Sequence, residues 1–121
     1  TSVVHPAAVV SAHAHIGAGA QLLAGCVVQP RACIGNGAIV NTRAVVEHDA
    51  QVGAFAHVAP GAVLCGNVHV GAGAHVGAGA TLRQGVRLGE GVVVGIGAAV
   101  LHDVSMGTVV GVPAEQLVRQ S

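Results

Sequence analysis

Apolar residues recur at every sixth position along this chain of 121 residues. The series runs without a gap through Val4, Val10, Ile16, Leu22, Val28, Ile34, Val40, Val46, Val52, Val58, Leu64, Val70, Val76, Leu82, Leu88, Val94, Val100, Met106 and Val112. A second series lies four residues further on in each repeat and is mostly alanine from Ala8 to Ala98, with Cys26 as one of its exceptions. Because neither series gains or loses a residue, the spacing indicates one structural unit repeated from end to end.

A period of six fits neither the turn of an α-helix nor the alternation of an ordinary strand. It is typical of hexapeptide repeats that coil into a parallel β-helix. Each hexapeptide forms one face of a triangular prism, so one coil takes eighteen residues and successive coils stack about 4.8 Å apart. The sequence therefore predicts an all-β prism of about six coils, with Met106 and Val112 in the inward register.

Glycine marks the expected corners of this prism, as in "IGAGA", "IGNGA", "VGAGAHVGAGA" and "VGIGA". Corners need backbone angles that a Cβ atom opposes, so glycine is favoured there. An alanine-rich helix is the alternative interpretation of this composition. The many glycines and valines argue against it.

The composition indicates one domain, residues 1–121, with a thin apolar core. Lys plus Arg and Asp plus Glu both number 5, so no charged surface for nucleic acid is expected. The longest apolar stretch, 92–101, is too short to cross a bilayer, and no signal peptide is recognised. Three cysteines without a CxxC pair favour a reduced, cytoplasmic setting and structural roles. Because the first residue is Thr1 and the first coil presents an open strand edge, we expect that an upstream domain has been removed.

Ionisable residues concentrate in the segment 41–57, "NTRAVVEHDAQVGAFAH". Glu47, His48 and Asp49 occupy neighbouring positions at one expected corner, and a histidine flanked by carboxylates is suited to act as a general base. A solvated acidic turn with an incidental histidine is the alternative. Residues eighteen apart share one vertical column, which stacks His57 with His75 and pairs Arg31 with Asp49. That ion pair is expected to compete with His48 for the Asp49 carboxylate.

Three stretches resemble the left-handed β-helix domain of bacterial sugar acetyltransferases of the NeuD/PglD type. They are "HPAAVVSAHAHIGAGA", "IGNGAIVNTRAVVEHDAQVGAFAHVAPGAVLCGNVHVG" and "VVGVPAEQL". The resemblance covers nearly the whole chain, and its narrowest signal is the ordered set N-T, E-H-D, F-A-H, A-P-G-A and C-G-N-V. Members of this family typically carry an N-terminal domain that holds the nucleotide sugar, and nothing in this sequence corresponds to it.

The resemblance implies acetyl transfer from acetyl-CoA to an amino or hydroxyl group of a sugar, with a nucleotide-linked amino sugar preferred. It also implies a homotrimer with active sites between subunits. His48 falls on the family's catalytic base and Asp49 on the acidic residue that modulates it, while Glu47 is a second candidate by proximity. The acetyl-CoA contacts of the family fall on His57, Gly66, Ala78 and Ile96. No metal is expected, and no serine or cysteine beside a base suggests a covalent intermediate, so direct transfer is favoured.

Two other functions on this fold remain alternatives. The first is a non-catalytic scaffold or trimerisation domain, and the many hexapeptide repeats alone do not separate it from a transferase. The second is a zinc-dependent carbonic anhydrase of the γ type, which places two histidine ligands five residues apart. No two of the eight histidines here have that spacing. An ice-binding solenoid is disfavoured, since no two of Thr1, Thr42, Thr81 and Thr108 are separated by a multiple of eighteen residues.

Overall fold

The computed structural model describes residues 1–117, which wind into a left-handed parallel β-helix of about six coils. Each face of the prism contributes a strand of two residues, followed by a corner in which two residues form the turn. Backbone hydrogen bonds run from one coil to the next, as from the Val63 nitrogen to the Ala80 oxygen at 2.8 Å. The predicted all-β fold is confirmed.

Three sheets form the faces of the prism. The first sheet contains β1 (Val3–Val4), β4 (Gln21–Leu22), β7 (Ile39–Val40), β10 (His57–Val58), β13 (His75–Val76), β16 (Val93–Val94), β18 (Thr108–Val110) and β19 (Glu115–Gln116). The second contains β2 (Val9–Val10), β5 (Val27–Val28), β8 (Val45–Val46), β11 (Val63–Leu64), β14 (Thr81–Leu82) and β17 (Ala99–Val100). The third contains β3 (His15–Ile16), β6 (Cys33–Ile34), β9 (Gln51–Val52), β12 (His69–Val70) and β15 (Arg87–Leu88).

The core is the column of residues that the two sequence series predicted. From Leu22 to Val100, every sixth residue is no more than 4% exposed, and the small residues between them, Cys26 included, are equally buried. No polar or charged side chain of residues 1–117 is buried. Strand partners lie eighteen residues apart, as in the pairing of His57 with His75. Stacked aliphatic side chains therefore stabilise the prism, as expected for hydrophobic burial.

The last coil departs from the sequence prediction. Val104 rather than Met106 pairs with Leu88, and Val109 pairs with Val94 only fifteen residues away. Met106 and Val112, which the six-residue count placed inward, are 74% and 77% exposed. In this shorter coil, the Asp103 side chain takes the place of a strand carbonyl and accepts a hydrogen bond from the Arg87 nitrogen at 2.9 Å. The inward prediction for these two residues was wrong.

The chain then reverses direction. Strand β19 pairs antiparallel with β18, whereas the other strand pairs of residues 1–117 are parallel. Residues 1–117 contain no helix, and thus none long and apolar enough to cross a membrane. Cys26, Cys33 and Cys65 are free thiols, and burial raises the pKa of Cys26.

Candidate active site

His48 and Asp49 form the turn between β8 and β9. We call this column of turns the His48 corner; it comprises residues 12–13, 30–31, 48–49, 66–67 and 84–85. Asp49 adopts a left-handed backbone conformation with φ of 62°, which aspartate tolerates better than most residues. The His48 ring is half exposed at this corner, so it is open to a ligand from outside the prism.

Asp49 joins two partners at once. Its Oδ1 accepts from Arg31 Nε at 2.9 Å, and its Oδ2 accepts from Arg31 Nη2 at 3.0 Å. The same Oδ2 lies 3.1 Å from His48 Nδ1. The predicted competition between Arg31 and His48 is absent, because a carboxylate has room for both donors. These hydrogen bonds, with Arg31 first and His48 second, lower the pKa of Asp49 to about 2.

The ionised Asp49 carboxylate determines how His48 carries its proton. Because the carboxylate only accepts, Nδ1 of His48 is the donor. The neutral ring then has its lone pair on Nε2, and no group of residues 1–117 bonds to that atom. Glu47, the other carboxylate candidate, is half buried and makes no hydrogen bond to His48. Asp49 is therefore the carboxylate that orients His48.

Gly66 lies against the His48 ring, one coil further along the same corner. A Cβ atom added to Gly66 would lie 2.7 Å from both Cε1 and Nε2 of His48. Gly66 does not have a positive φ; the left-handed residue of that turn is Asn67, with φ of 59°. In most other corners, glycine occupies the second turn position and a residue with a side chain occupies the first, as in Ala78 and Gly79. Gly66 is thus needed for space rather than for backbone conformation.

His57 lies on the outer side of β10 in the first sheet. Asn41 Nδ2 is 3.0 Å from His57 Nε2, and Asn41 Oδ1 accepts from the Thr42 nitrogen at 2.7 Å. Because the Thr42 nitrogen donates to Oδ1, the side-chain amide of Asn41 has its NH₂ group towards His57 and donates to Nε2. The ring proton of His57 is then on Nδ1. Partial burial, followed by the charge of His75, lowers the pKa of His57. The two rings pack edge to face with centroids 4.9 Å apart, so their predicted stacking is confirmed.

The other two predicted cofactor contacts lie beside the sheet of His57. Ala78 and Ile96 are first turn residues in one column of corners, which we call the Ile96 corner; it comprises residues 6–7, 24–25, 42–43, 60–61, 78–79 and 96–97. The Ala78 carbonyl accepts from the Gly97 nitrogen at 2.8 Å, and Ile96 is 85% exposed. An apolar side chain this exposed is available for contact with a ligand or another chain.

The predicted site residues fall into two groups on different sides of the prism. The His48 corner joins the second and third sheets, because β8 precedes it and β9 follows it. His57 lies on the first sheet, which closes the triangle opposite that corner. One chain therefore brings Asp49 and Gly66 to His48 but does not bring His57 to it.

The sequence reasoning missed the contact between Asn41 and His57. These residues are sixteen apart, so the eighteen-residue columns did not pair them. The contact of His48 with Gly66 does follow the eighteen-residue spacing. Its sequence signal is the order Gly-Asn in a turn, because glycine is otherwise found at the second turn position and not at the first.

Two open pockets accompany these groups. One, of about 400 Å³, lies at the end of the His48 corner and is lined by Arg83, Gln84, Gly85, Val86, Leu101, His102 and Asp103. The other, of about 320 Å³, lies along the third sheet and includes Gln51 and His69. Within residues 1–117, no group of three or more histidine, cysteine or acidic side chains is placed to hold a metal ion.

Known proteins share both the repeat and the fold. Residues 49–84 match the bacterial transferase hexapeptide family (six repeats). The match covers less than a third of the chain, but the left-handed β-helix of hexapeptide repeats extends beyond it, and the resemblance to acetyltransferase domains is borne out by solved structures. No curated protein matches its sequence significantly.

The acetyltransferase domain of PglB from Neisseria gonorrhoeae FA1090 matches with a TM-score of 0.95 and 42% identity, over 97% of this chain and 58% of that one. The same domain has also been solved in complex with acetyl coenzyme A. PerB from Caulobacter crescentus, in complex with CoA and GDP-perosamine, matches with a TM-score of 0.93 and 40% identity, over 94% of this chain and 56% of that one. This chain thus spans little more than half the length of these relatives.

Proposed function

We propose that this domain transfers the acetyl group of acetyl-CoA directly to an amino group, or less favourably a hydroxyl group, of a sugar. The preferred acceptor is a nucleotide-linked amino sugar. The observation that carries this proposal is the His48 ring, whose Nδ1 is held by Asp49 while Nε2 has no partner in residues 1–117. An imidazole nitrogen with a free lone pair at an exposed corner is suited to general-base catalysis.

The chemistry requires no covalent enzyme intermediate. The acceptor nitrogen attacks the thioester carbonyl carbon while Nε2 of His48 takes the proton from that nitrogen. The tetrahedral intermediate then collapses, the carbon–sulfur bond breaks, and the CoA thiolate receives the proton from Nε2. Asp49 stabilises the imidazolium that forms between these two steps, because its carboxylate stays ionised.

The relatives support the choice of substrates. PglB has been solved with acetyl coenzyme A and PerB with CoA and GDP-perosamine. In this chain, the Nδ1 proton of His57 is a suitable donor to the thioester carbonyl, and Ala78 and Ile96 line the same side of the prism. Stabilising the developing oxyanion by such a donor is a large part of catalysis in acyl transfer.

The separation of the two groups supports a homotrimer with the active site between subunits. Since His48 and His57 lie on opposite sides of one prism, the His48 corner of one protomer would face the first sheet of its neighbour. Three such contacts close a ring with threefold symmetry. The need for acetyl-CoA and the three free thiols support a cytoplasmic location.

The test combines binding with turnover. Calorimetry measures acetyl-CoA affinity, and mass spectrometry quantifies acetylated product from nucleotide-linked amino sugars and from the free sugars. Detection of the released CoA with a thiol reagent is unsuitable, because the partly exposed Cys33 and Cys65 would also react. We expect His48→Ala to lower kcat by about 10²-fold or more.

The matched control is His69→Ala, which removes a histidine from the third sheet. It should leave kcat unchanged. Full activity of His48→Ala, or no binding of acetyl-CoA by the wild-type protein, would overturn the proposed function. Binding without turnover of any sugar would favour the scaffold alternative.

A further inference from the structure

Arg31 lies outside the site residues that the sequence pointed to, yet it is attached to them. It occupies the second turn position of the His48 corner one coil before Asp49, and both residues have left-handed backbones, with φ of 63° and 62°. A left-handed conformation is unfavourable for a residue with a side chain, because its Cβ atom lies too close to the following carbonyl oxygen. Glycine, which lacks a Cβ atom, occupies the equivalent position in most of the other corners.

The Arg31 guanidinium holds the Asp49 carboxylate in a two-point contact. Nε reaches Oδ1 at 2.9 Å and Nη2 reaches Oδ2 at 3.0 Å. A bidentate pair of this kind fixes the plane of the carboxylate, which a single contact leaves free to rotate. Oδ2 is therefore held where it accepts from His48 Nδ1.

Stability alone does not explain this arrangement. The side chains of Arg31 and Asp49 are 64% and 33% exposed. Exposed ion pairs contribute little to the free energy of unfolding, because water and salt screen them. The pair does bear on orientation, since Oδ1 of Asp49 contacts Arg31 alone whereas Oδ2 contacts both Arg31 and His48.

We infer that Arg31 is a positioning residue, which acts through Asp49 to keep the proton of His48 on Nδ1 and the lone pair on Nε2. This inference rests on the proposed function, in which Nε2 is the base. Without Arg31, the carboxylate rotates and the ring is free to take the other tautomer. A histidine in the wrong tautomer cannot accept the proton of the acceptor amine.

The first experiment is a double-mutant cycle of Arg31→Ala and Asp49→Asn, with kcat and the KM for acetyl-CoA as readouts. Groups that orient a metal-bound histidine contribute about 10- to 100-fold, and we take the lower end of that range for Arg31, because it acts on His48 through Asp49. We expect Arg31→Ala to lower kcat by about tenfold at unchanged KM, and Arg31→Lys, which makes a single contact, to recover part of the loss. In the Asp49→Asn background, Arg31→Ala should have no further effect.

Arg43→Ala is the matched control. Arg43 also occupies a second turn position with φ of 59°, but it makes no ion pair within residues 1–117. Its replacement should leave kcat unchanged. Wild-type kcat in Arg31→Ala, or an equal loss with and without Asp49, would overturn the positioning role.

A second readout does not depend on activity. Long-range proton–nitrogen NMR reports which nitrogen of the neutral His48 ring carries the proton. We expect Nδ1 in the wild type and a shift towards Nε2 in Arg31→Ala. An unchanged tautomer would refute the inference even if the protein proves to be an acetyltransferase, whereas full activity of His48→Ala would refute the proposed function and leave the tautomer result standing.

Discussion

Replacing Gly66 with alanine tests how the fold seats the His48 ring. The new methyl carbon would lie 2.7 Å from Cε1 and Nε2 of His48, whereas carbon atoms in contact prefer about 3.5–4.0 Å. The backbone at Gly66 can accommodate alanine, since its φ is not positive and Ala78 occupies the same turn position two corners further along the chain. The His48 ring must therefore move by about 1 Å to relieve the contact, while the backbone at residue 66 stays in place.

The size of the effect follows from that displacement. Misplacing a reacting group by about 1 Å can reduce turnover by about 10²-fold. Folding should be little affected, since the half-exposed His48 ring has solvent to move into. Replacing glycine by alanine without strain stabilises a protein by about 0.4–1 kcal/mol through the unfolded chain. In Gly66→Ala the clash with His48 offsets this gain, and in Gly66→Ala combined with His48→Ala the full gain should appear.

The measurements are made on Gly66→Ala, His48→Ala and the double variant. Mass spectrometry of the product gives kcat, urea unfolding gives the free energy of unfolding, and calorimetry gives the affinity for acetyl-CoA. Wild-type kcat in Gly66→Ala would refute the steric argument. If Gly66→Ala weakens acetyl-CoA binding equally with and without His48, Gly66 contacts the ligand itself. The sequence resemblance assigned Gly66 to contact with acetyl-CoA, and its steric contact with the His48 ring would then be secondary.

Three further predictions concern stability and ionisation. Leu64→Ala should lower the free energy of unfolding by about 2–5 kcal/mol, measured in urea, because Leu64 is fully buried; a loss below 1 kcal/mol would contradict the packed core. His75→Ala should raise the pKa of His57 towards its ordinary value of 6.5, since it removes a charge and part of the burial, and NMR titration measures this. Because the fold lowers the pKa of His57, its contribution to the free energy of unfolding is complete above about pH 6.5 and decreases as the pH falls. In His75→Ala, the free energy of unfolding should decrease less over the same pH range. The contribution of the Asp49 ion pair should be complete above about pH 4 and be lost as the pH falls towards 2, so a carboxyl that titrates near 4 in carbon NMR would refute the contact with Arg31.

The repeat made most of the fold predictable from the sequence. Two series of residues with one fixed period identify the inward positions, because a two-residue strand has only one inward side chain. The count fails at Met106, where a side chain takes over a hydrogen bond of the strand ladder and the coil shortens. A hydrophobic residue in register is therefore necessary for the inward position but does not by itself ensure it.

For the candidate site, the sequence predicted only contacts between residues eighteen apart, which share one vertical column of the prism. The eighteen-residue spacing paired Arg31 with Asp49 and His57 with His75, and both contacts are present. It did not show that one carboxylate serves two donors, because that depends on side-chain geometry. It also could not pair Asn41 with His57, whose contact crosses from a corner to the adjoining strand.

The antiparallel strand β19 has a consequence for how these prisms meet one another. A β-helix whose final coil ends in an open parallel edge can template a further coil from another molecule, and such edges lead to aggregation. Here the last strand of the first sheet is paired with a strand of opposite direction, Glu115–Gln116, whose residues are exposed. Within residues 1–117, β19 therefore covers the edge of β18 that would otherwise offer a template for a further parallel strand of the first sheet.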